Sequence, residues 1–302
     1  MIYSSALALL LGFELSYYLL IIQTGVVAHF HSDMLTLFPM FMGGVAGTIM
    51  SGFSWGKITN PIHKIMLALL LQLLLSFSYP EYNLFTLVLL GLSVGMMAPL
   101  GIYLFKSHQQ KELFFALAIA YSTGTYLFKT SADGRIWMAV CFTLIPLFSA
   151  VVLRKYRVQT ENKRESFPIA SYLLLMLWIL LDSNLFETLL RHSNINIWSN
   201  YTFVIIAFHI LGLLGGYFIK MPNYKKHIFI ALLFVGSYSV SYLELPLALA
   251  MVYPFVISYY NVVVFTTLTK EMSLTKLSFM MIFVGWVASG AGLAIALGGF
   301  FH

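Results

Sequence analysis

Long apolar runs separated by short polar breaks constrain this chain more than any other feature. Most of the runs approach the ~20 residues that a helix needs to cross the hydrocarbon core of a bilayer. They predict an all-α polytopic membrane protein with about eleven transmembrane helices, numbered 1 to 11 in chain order. The runs lie near 4–28, 34–55, 63–79, 84–105, 112–128, 136–153, 168–190, 198–219, 227–243, 246–268 and 276–299.

Composition argues against a soluble domain. Hydrophobic residues make up 60% of the 302 positions and charged residues only 9%. Soluble domains contain about 25% charged residues, so this chain lacks the polar surface needed to face water. The net charge of +6 does not indicate a nucleic-acid partner, because the basic residues lie in short loops between apolar runs. The chain is therefore predicted to be embedded in the lipid bilayer.

The distribution of Lys and Arg predicts the orientation of the chain. Loops that follow even-numbered helices carry 14 of the 17 basic residues, whereas Lys129, Arg135 and Arg191 follow odd-numbered helices. Loops rich in Lys and Arg remain in the cytoplasm. We therefore expect a multi-pass protein of the inner (cytoplasmic) membrane with a cytoplasmic N-terminus and with His302 outside. The first run is too long for a signal peptide and is expected to be helix 1.

An internal repeat relates the two parts of the chain. At an offset of 163 residues, nine of 27 positions are identical, where about three are expected from such a composition. Six helices separate the equivalents, which predicts two parallel pseudo-repeats of six and five helices. The predicted domains are 1–153, a basic cytoplasmic linker 154–166, and 167–302. The matched pairs include Gly52 with Gly215, Lys57 with Lys220 and Asn60 with Asn223.

Six helices, a basic linker and a second similar copy resemble the major facilitator superfamily of secondary transporters. Gly52, Lys57 and Lys64 match that family's gating loop after helix 2, and Gly56 stands where the family has an acidic residue. The chain is short and divergent for the family, because eleven helices are predicted where the family has twelve. The resemblance implies alternating access around a central cavity lined by helices 1, 4, 7 and 10.

Two acids deep in the predicted helices are the leading site residues. Glu14 lies near the middle of helix 1, and Asp182 lies slightly outside the centre of helix 7. Charged groups at such depth are rare and usually functional, although a polar group satisfied inside the bundle is the alternative. Under the resemblance both acids face the central cavity. His209, at the centre of helix 8, is either a hydrogen-bonding strut or a proton partner that favours Asp182 as the coupling carboxylate.

Aromatic residues with polar tips form a second set of candidates. Their rings and hydroxyl groups are suited to a cationic or amphipathic ligand. Ordinary packing and anchoring at the membrane interface are the alternative for each. The set comprises Tyr17, Tyr18, Tyr259 and Tyr260, with Asn261 beside the last pair.

Two further predictions concern packing and exposure. Glu187, near the outer end of helix 7, is a third acid of this kind; the alternative is that it is exposed at the membrane interface and pairs with Arg191 one turn later. Small residues in helix 2 are expected to allow a neighbouring helix to approach closely. These are Gly43, Gly44 and Gly47.

Together these features predict a proton-coupled secondary active transporter for a small cationic or amphipathic organic solute. Every Lys and Arg is assigned to a loop or a helix end, and unpaired acids favour protons or cations as ligands. Two alternatives stay open: a non-transporting assembly or receptor-like protein descended from a transporter, and a ten-helix drug/metabolite-type carrier. An enzyme is not expected, and no cofactor or metal motif is present.

Overall fold

Helices occupy all eleven predicted runs. The computed structural model describes residues 2–30, 33–56, 58, 60–105, 110–155, 169–191, 195–270 and 273–298. In this part of the chain the regular elements are all helical, and Trp55 and Ile58 form an isolated bridge. The helices are α1 (Ile2–His29), α2 (Met34–Gly52), α3 (Pro61–Ser76), α4 (Leu84–Leu104), α5 (Gln110–Tyr126), α6 (Ala132–Leu153), α7 (Ile169–Arg191), α8 (Thr202–Phe218), α9 (Asn223–Tyr242), α10 (Pro246–Leu268) and α11 (Leu274–Leu297), with one helical turn, Ile197–Asn200, before α8.

Several helices have the length and hydropathy of membrane spans. Within the described residues, seven qualify: α1, α2, α4, α6, α7, α10 and α11. The helices α3 and α8 are apolar but shorter, with 16 and 17 residues. Large apolar side chains such as Leu35, Phe85 and Phe203 lie exposed on helix surfaces. These features are consistent with a multi-pass membrane protein, and the number of crossings, eleven in the sequence analysis, stays a prediction.

Polar loop residues begin the helices by capping them. The carboxylate of Asp33 accepts the backbone N–H groups of Leu35 and Thr36 at the start of α2. The hydroxyl of Thr36, followed by these amides, holds the pKa of Asp33 below its usual value. Asn60 and Asn83 accept amides of the first turns of α3 and α4 in the same way. Each cap satisfies N–H groups that the helix itself leaves unpaired.

The chain divides into two compact units. Unit 1 contains residues 1–165 and 267–282, and unit 2 contains residues 166–266 and 283–302. The first part of α11 therefore belongs to unit 1 and the second part to unit 2. The boundary at 165/166 lies in the predicted linker, whose residues 156–166 are outside the described part. The division into sequence halves at that linker stays a prediction.

In unit 1, α1 packs against α5 and α6, and α3 packs against α4 and α6. The closest pair is α2 with α4, whose glycines allow direct backbone contact. A Cβ atom added at Gly47 would lie 2.1 Å from the carbonyl oxygen of Leu92, and one at Gly95 would lie 2.0 Å from that of Gly44. The predicted close approach through the glycines of helix 2 is confirmed.

In unit 2, α7 packs against the second part of α11 and against α9. Gly292 allows the first of these contacts, because an added Cβ atom there would lie 2.5 Å from the carbonyl oxygen of Leu180. Gly212 plays the same part between α8 and α10, where an added Cβ atom would lie 2.4 Å from the carbonyl oxygen of Phe255. Both units thus use glycine for close helix packing.

Candidate functional site

Asp182 is held by two phenols in unit 2. The hydroxyl of Tyr253 donates to Oδ1 at 2.9 Å, and the hydroxyl of Tyr260 donates to Oδ2. Both tyrosines lie on α10 and are buried, while Asp182 on α7 is partly buried. Each carboxylate oxygen therefore has an O–H donor, an arrangement that favours the charged form. The prediction that Tyr260 belongs to the site agrees with this contact.

Beside this carboxyl group, Tyr238 of α9 joins α7 through two contacts. Its hydroxyl lies 2.9 Å from the carbonyl oxygen of Leu181 and 2.8 Å from Oδ1 of Asn184. Asn184 is buried, and its Nδ2 atom has no hydrogen-bond partner. The polar cluster of unit 2 therefore extends past Asp182 and retains an amide group able to bind a further ligand atom.

Glu14 is surrounded by neutral polar side chains in unit 1. Gln72 of α3 and Tyr17 of α1 lie within interaction distance of its carboxyl group. Tyr17 also interacts with Ser76 of α3 and with Tyr82 in the loop before α4. All five side chains are buried, with Glu14 exposed by 7% and Gln72 by 0%. We call these five residues the Glu14 cluster.

The Glu14 cluster differs from the Asp182 site in having few hydrogen bonds. Its side chains approach one another, but five of their buried atoms lack a hydrogen bond of acceptable geometry. Leaving a buried polar group unpaired costs about 1–3 kcal/mol, so this arrangement destabilises the folded protein unless a ligand binds to the unpaired atoms. Burial, and to a smaller extent Tyr79, raises the pKa of Tyr82, which keeps this phenol neutral. The unpaired atoms are Glu14 Oε2, the hydroxyls of Tyr17 and Tyr82, and Nε2 and Oε1 of Gln72.

Neither carboxyl group is paired with a base of the described part of the chain. Among the described residues, no Lys or Arg contacts Glu14 or Asp182. The contacts of Glu14 lie in unit 1 and those of Asp182 lie in unit 2. A cavity shared by the two acids stays a prediction.

His209 binds α10. Its Nδ1 atom lies 2.7 Å from Oγ of Ser258, and the ring also bonds the backbone carbonyl of Pro254. These contacts agree with the strut alternative of the sequence analysis. The proposed proton exchange with Asp182 stays a prediction.

The other predicted polar residues have structural contacts. Tyr18 packs against the hydrophobic core of unit 1. Tyr259 is buried between the rings of Phe229 and Phe255, although its hydroxyl has no partner. The side chain of Asn261 donates to the carbonyl oxygen of Ile257 one turn earlier, at 3.0 Å. These contacts favour packing roles for all three residues.

The predicted exposure of Glu187 is wrong. This side chain is only 4% exposed, because the face of α7 that carries Glu187 lies towards the interior of unit 2. The charge of Arg191 does act on it, as the spacing of one helical turn predicts.

Lys64 stabilises the C-terminal end of α2 in the predicted gating loop. Its Nζ atom donates to the carbonyl oxygen of Ser51 at 3.0 Å and to that of Phe53, and it lies 5.4 Å from the ring centroid of Trp55. A cation at a helix C-terminus is favourable because carbonyl groups there are unpaired. Gly52 ends α2, and Lys57 lies outside the described residues. Because carbonyl oxygens bind Lys64, this contact does not depend on the acidic residue that the resembled family has at the position of Gly56.

Arg135 at the start of α6 fixes an irregular part of α1. Residues Tyr18–Val26 form a π-helix, which opens the regular backbone hydrogen-bond pattern. Nη1 of Arg135 donates to the carbonyl oxygen of Leu20 at 2.6 Å and to the hydroxyl of Thr24 at 3.0 Å. The guanidinium charge is thereby bound by oxygen atoms, away from Glu14.

Sequence reasoning missed several neighbours of the two acids. Gln72 had a visible signal, because it is the only strongly polar residue in the run from Leu69 to Leu75. Asn184 and Tyr238 had none, because each is one of several neighbouring polar residues in its helix (Ser183 before Asn184, Ser237 and Ser239 around Tyr238) and only packing brings the two together. Comparisons with protein-family models and with curated proteins give no match for this chain.

Proposed function

We propose that this protein is a secondary active transporter that works by alternating access and couples solute movement to protons. One observation carries the proposal: each unit holds a carboxyl group among hydroxyl and amide groups, buried for Glu14 and partly buried for Asp182, with no contacting Lys or Arg among the described residues. Such groups are costly in a bilayer and mark ion or substrate pathways. A small cationic or amphipathic organic solute is the substrate class that complements two acids and several aromatic rings.

We assign different roles to the two acids. Asp182 has an O–H donor on each oxygen, so it is suited to remain charged and to attract the solute. Glu14 has an unpaired oxygen and no charged partner among the residues that the structure describes, so it is stable only when it is protonated or bound to a cation. The assignment therefore reverses the sequence-based preference, and Glu14 becomes the coupling carboxylate.

Helix boundaries support the proposed parallel repeat and the resemblance to the major facilitator superfamily. Shifted by 163 residues, the bounds of α3 become 224–239 and those of α4 become 247–267. The helices α9 and α10 cover Asn223–Tyr242 and Pro246–Leu268. The offset found from residue identities thus also relates the lengths and positions of the helices.

Helix contacts support the same repeat. In unit 1, α1 packs against α5, and α2 packs against α4; in unit 2, α7 packs against α11, and glycines join α8 to α10. Adding six to the helix numbers of each pair in unit 1 gives the corresponding pair in unit 2. A ten-helix carrier built from inverted five-helix repeats would not give this correspondence, so these contacts favour the parallel arrangement.

Topology provides a first test of the proposal. The 14-to-3 distribution of basic residues predicts that a reporter fused after His302 is extracytoplasmic and that one inserted near Gln159 is cytoplasmic. Reporter activity and accessibility to impermeant thiol reagents measure both positions. A cytoplasmic His302 would contradict an eleven-span arrangement.

The proposed gate lies where the end of α2 meets the start of α11 in unit 1. The hydroxyls of Ser51 and Ser278 are 2.8 Å apart, and Thr275 donates to the carbonyl oxygen of Gly52 at 2.8 Å. Both sites adjoin the loop that Lys64 stabilises. We propose that this contact opens and closes during the transport cycle.

A cross-link across this gate is expected to stop transport. Ser51→Cys and Ser278→Cys would be combined with Cys141→Ala, which removes the native thiol. Oxidation should reduce uptake to background, and a reducing agent should restore it, because a disulfide holds its two Cα atoms within about 7 Å. The single cysteine variants are the controls. Unchanged uptake by the fully cross-linked protein would contradict a moving gate.

Flux measurements test the function itself. The full-length protein in liposomes should accumulate a labelled organic cation when a proton gradient is imposed. The cation would be chosen from a panel by thermal shift, since a bound ligand raises stability. A folded protein that transports no member of the panel under any gradient would favour the non-transporting alternative.

A further inference from the structure

The Glu14 cluster has the composition of an ion site. Its five unpaired atoms, from Glu14, Tyr17, Gln72 and Tyr82, are all buried in the interior of unit 1. Four of them are oxygen atoms, and Ser76 adds a hydroxyl beside Tyr17. Oxygen atoms are the ligands that hard cations prefer. We propose that this cluster binds one small monovalent cation, and that the cation and the proton compete for Glu14.

The charge of the cluster favours a monovalent ion. Glu14 contributes one negative charge, and its neighbours in the cluster are neutral side chains. A divalent ion would retain a net positive charge in a low-dielectric interior, which is costly. Among the described residues, no group of three or more His, Cys, Asp or Glu side chains forms a metal site.

The packing of the cluster favours a small ion. Tyr17 already interacts with Glu14, Gln72, Ser76 and Tyr82, so these polar groups lie close to one another. An ion of the size of Na⁺ fits this setting better than a large organic cation, for which we propose the Asp182 site.

Competition follows from the hydrogen bonding of Glu14. A buried carboxylate without a donor on one oxygen is unstable as a free anion, so it either takes a proton or binds a cation. Binding of a cation must then release a proton. Other titratable groups also lie on α1, on the helices packed against it and on α3, which carries Gln72. They are Tyr3, Tyr18 and His29 on α1, His63 and Lys64 on α3, Tyr103 on α4, Lys111, Glu112, Tyr121 and Tyr126 on α5, and Asp133, Arg135 and Cys141 on α6, besides Tyr17 and Tyr82 of the cluster. Arg135 binds Leu20 and Thr24, further along α1.

The inference rests on the proposed function only in taking Glu14 as the coupling carboxylate, and it can be tested without transport. NaCl, KCl or methylammonium chloride would be added to the full-length protein in detergent at constant ionic strength. Calorimetry would measure binding, and an indicator dye in weak buffer would measure proton release. We expect release of up to about one proton per bound ion, and an apparent affinity that falls up to about tenfold for each pH unit below the pKa of the carboxyl group. Tetramethylammonium, which is too large, should not bind.

Matched variants make the result specific. Glu14→Gln should abolish proton release and weaken ion binding by more than about tenfold, equivalent to about 1.4 kcal/mol. Tyr82→Phe, which removes one hydroxyl and keeps the ring, should weaken binding while the protein stays folded. Glu112→Gln removes an acid in the first turn of α5 and should leave both signals unchanged.

Three results would overturn the inference. They are the absence of ion binding to the folded wild-type protein, ion binding without proton release, and equal binding by wild type and Glu14→Gln. The outcome is separable from that of the proposed function. Ion binding with proton release in a protein that shows no flux would retain the ion site and reject transport, whereas proton-driven flux without ion binding would reject the ion site alone.

Discussion

In liposomes, the Glu14→Gln protein is expected to lose proton-driven accumulation of an organic cation while it continues to exchange that cation across the membrane. The amide keeps the size and the polar character of the side chain beside Gln72, but it cannot take up or release a proton. Coupling needs this titration, whereas exchange needs only binding and conformational change. Accumulation should fall to the level of protein-free liposomes.

Asp182→Asn is the paired variant and should behave differently. Tyr253 and Tyr260 both donate to the carboxylate of Asp182, and an amide offers only one acceptor oxygen. Loss of the charge and of one hydrogen bond should weaken solute binding by about tenfold or more, because hydrogen bonds to charged groups contribute about 1.5–3 kcal/mol. Exchange and accumulation should both decrease at low solute concentration.

Comparison of the two variants decides the assignment. Initial rates of exchange and of uphill uptake would be measured over a range of solute concentrations, with Glu112→Gln as the control for removal of an acid. If Glu14→Gln accumulates the solute in the same pH-dependent way as the wild type, Glu14 is not the coupling group. If Asp182→Asn loses accumulation but binds the solute normally, Asp182 is the coupling carboxylate, as the sequence analysis predicts.

Gly95→Ala is expected to give a large loss of stability. Its Cβ atom would lie 2.0 Å from the carbonyl oxygen of Gly44, and backbone atoms on two packed helices cannot move aside as a flexible side chain can. Overpacking typically costs about 1–3 kcal/mol and sometimes more, and contact with backbone places this substitution at the upper end. Separation of α2 from α4 would also break the hydrogen bond from Thr48 to the carbonyl oxygen of Gly95, which is 2.9 Å.

A second glycine provides the control. Gly236 lies within α9 and has no atom within 4 Å of an added Cβ. Gly236→Ala should stabilise the helix by up to about 1 kcal/mol, because alanine loses less backbone freedom on folding. Thermal unfolding in detergent and the yield of monodisperse protein measure both variants. A melting temperature unchanged by Gly95→Ala would show that α2 and α4 do not pack as closely as described.

The sequence predicted most of the helix positions, because hydropathy is a local property. A run of apolar residues with few charges forms a helix in almost any packing, and the breaks at Asn60–Pro61 and Asn83 coincide with caps in the structure. The glycines of helix 2 were also predicted correctly, since only a residue without a side chain permits such close approach. The predicted exposure of Glu187 was wrong because its burial depends on which face of α7 packs against neighbouring helices.

Sequence by itself determined an all-α chain with long apolar helices, and it placed one acid in helix 1 and another in helix 7. The tertiary structure decided how those acids differ. Asp182 meets two phenols from α10, 71 and 78 residues away along the chain, whereas Glu14 meets Gln72 and Tyr17 without forming a complete hydrogen bond. A carboxyl group behaves according to the donors and charges that surround it. Residues far apart in the chain supply those donors, and only helix packing brings them to the acid.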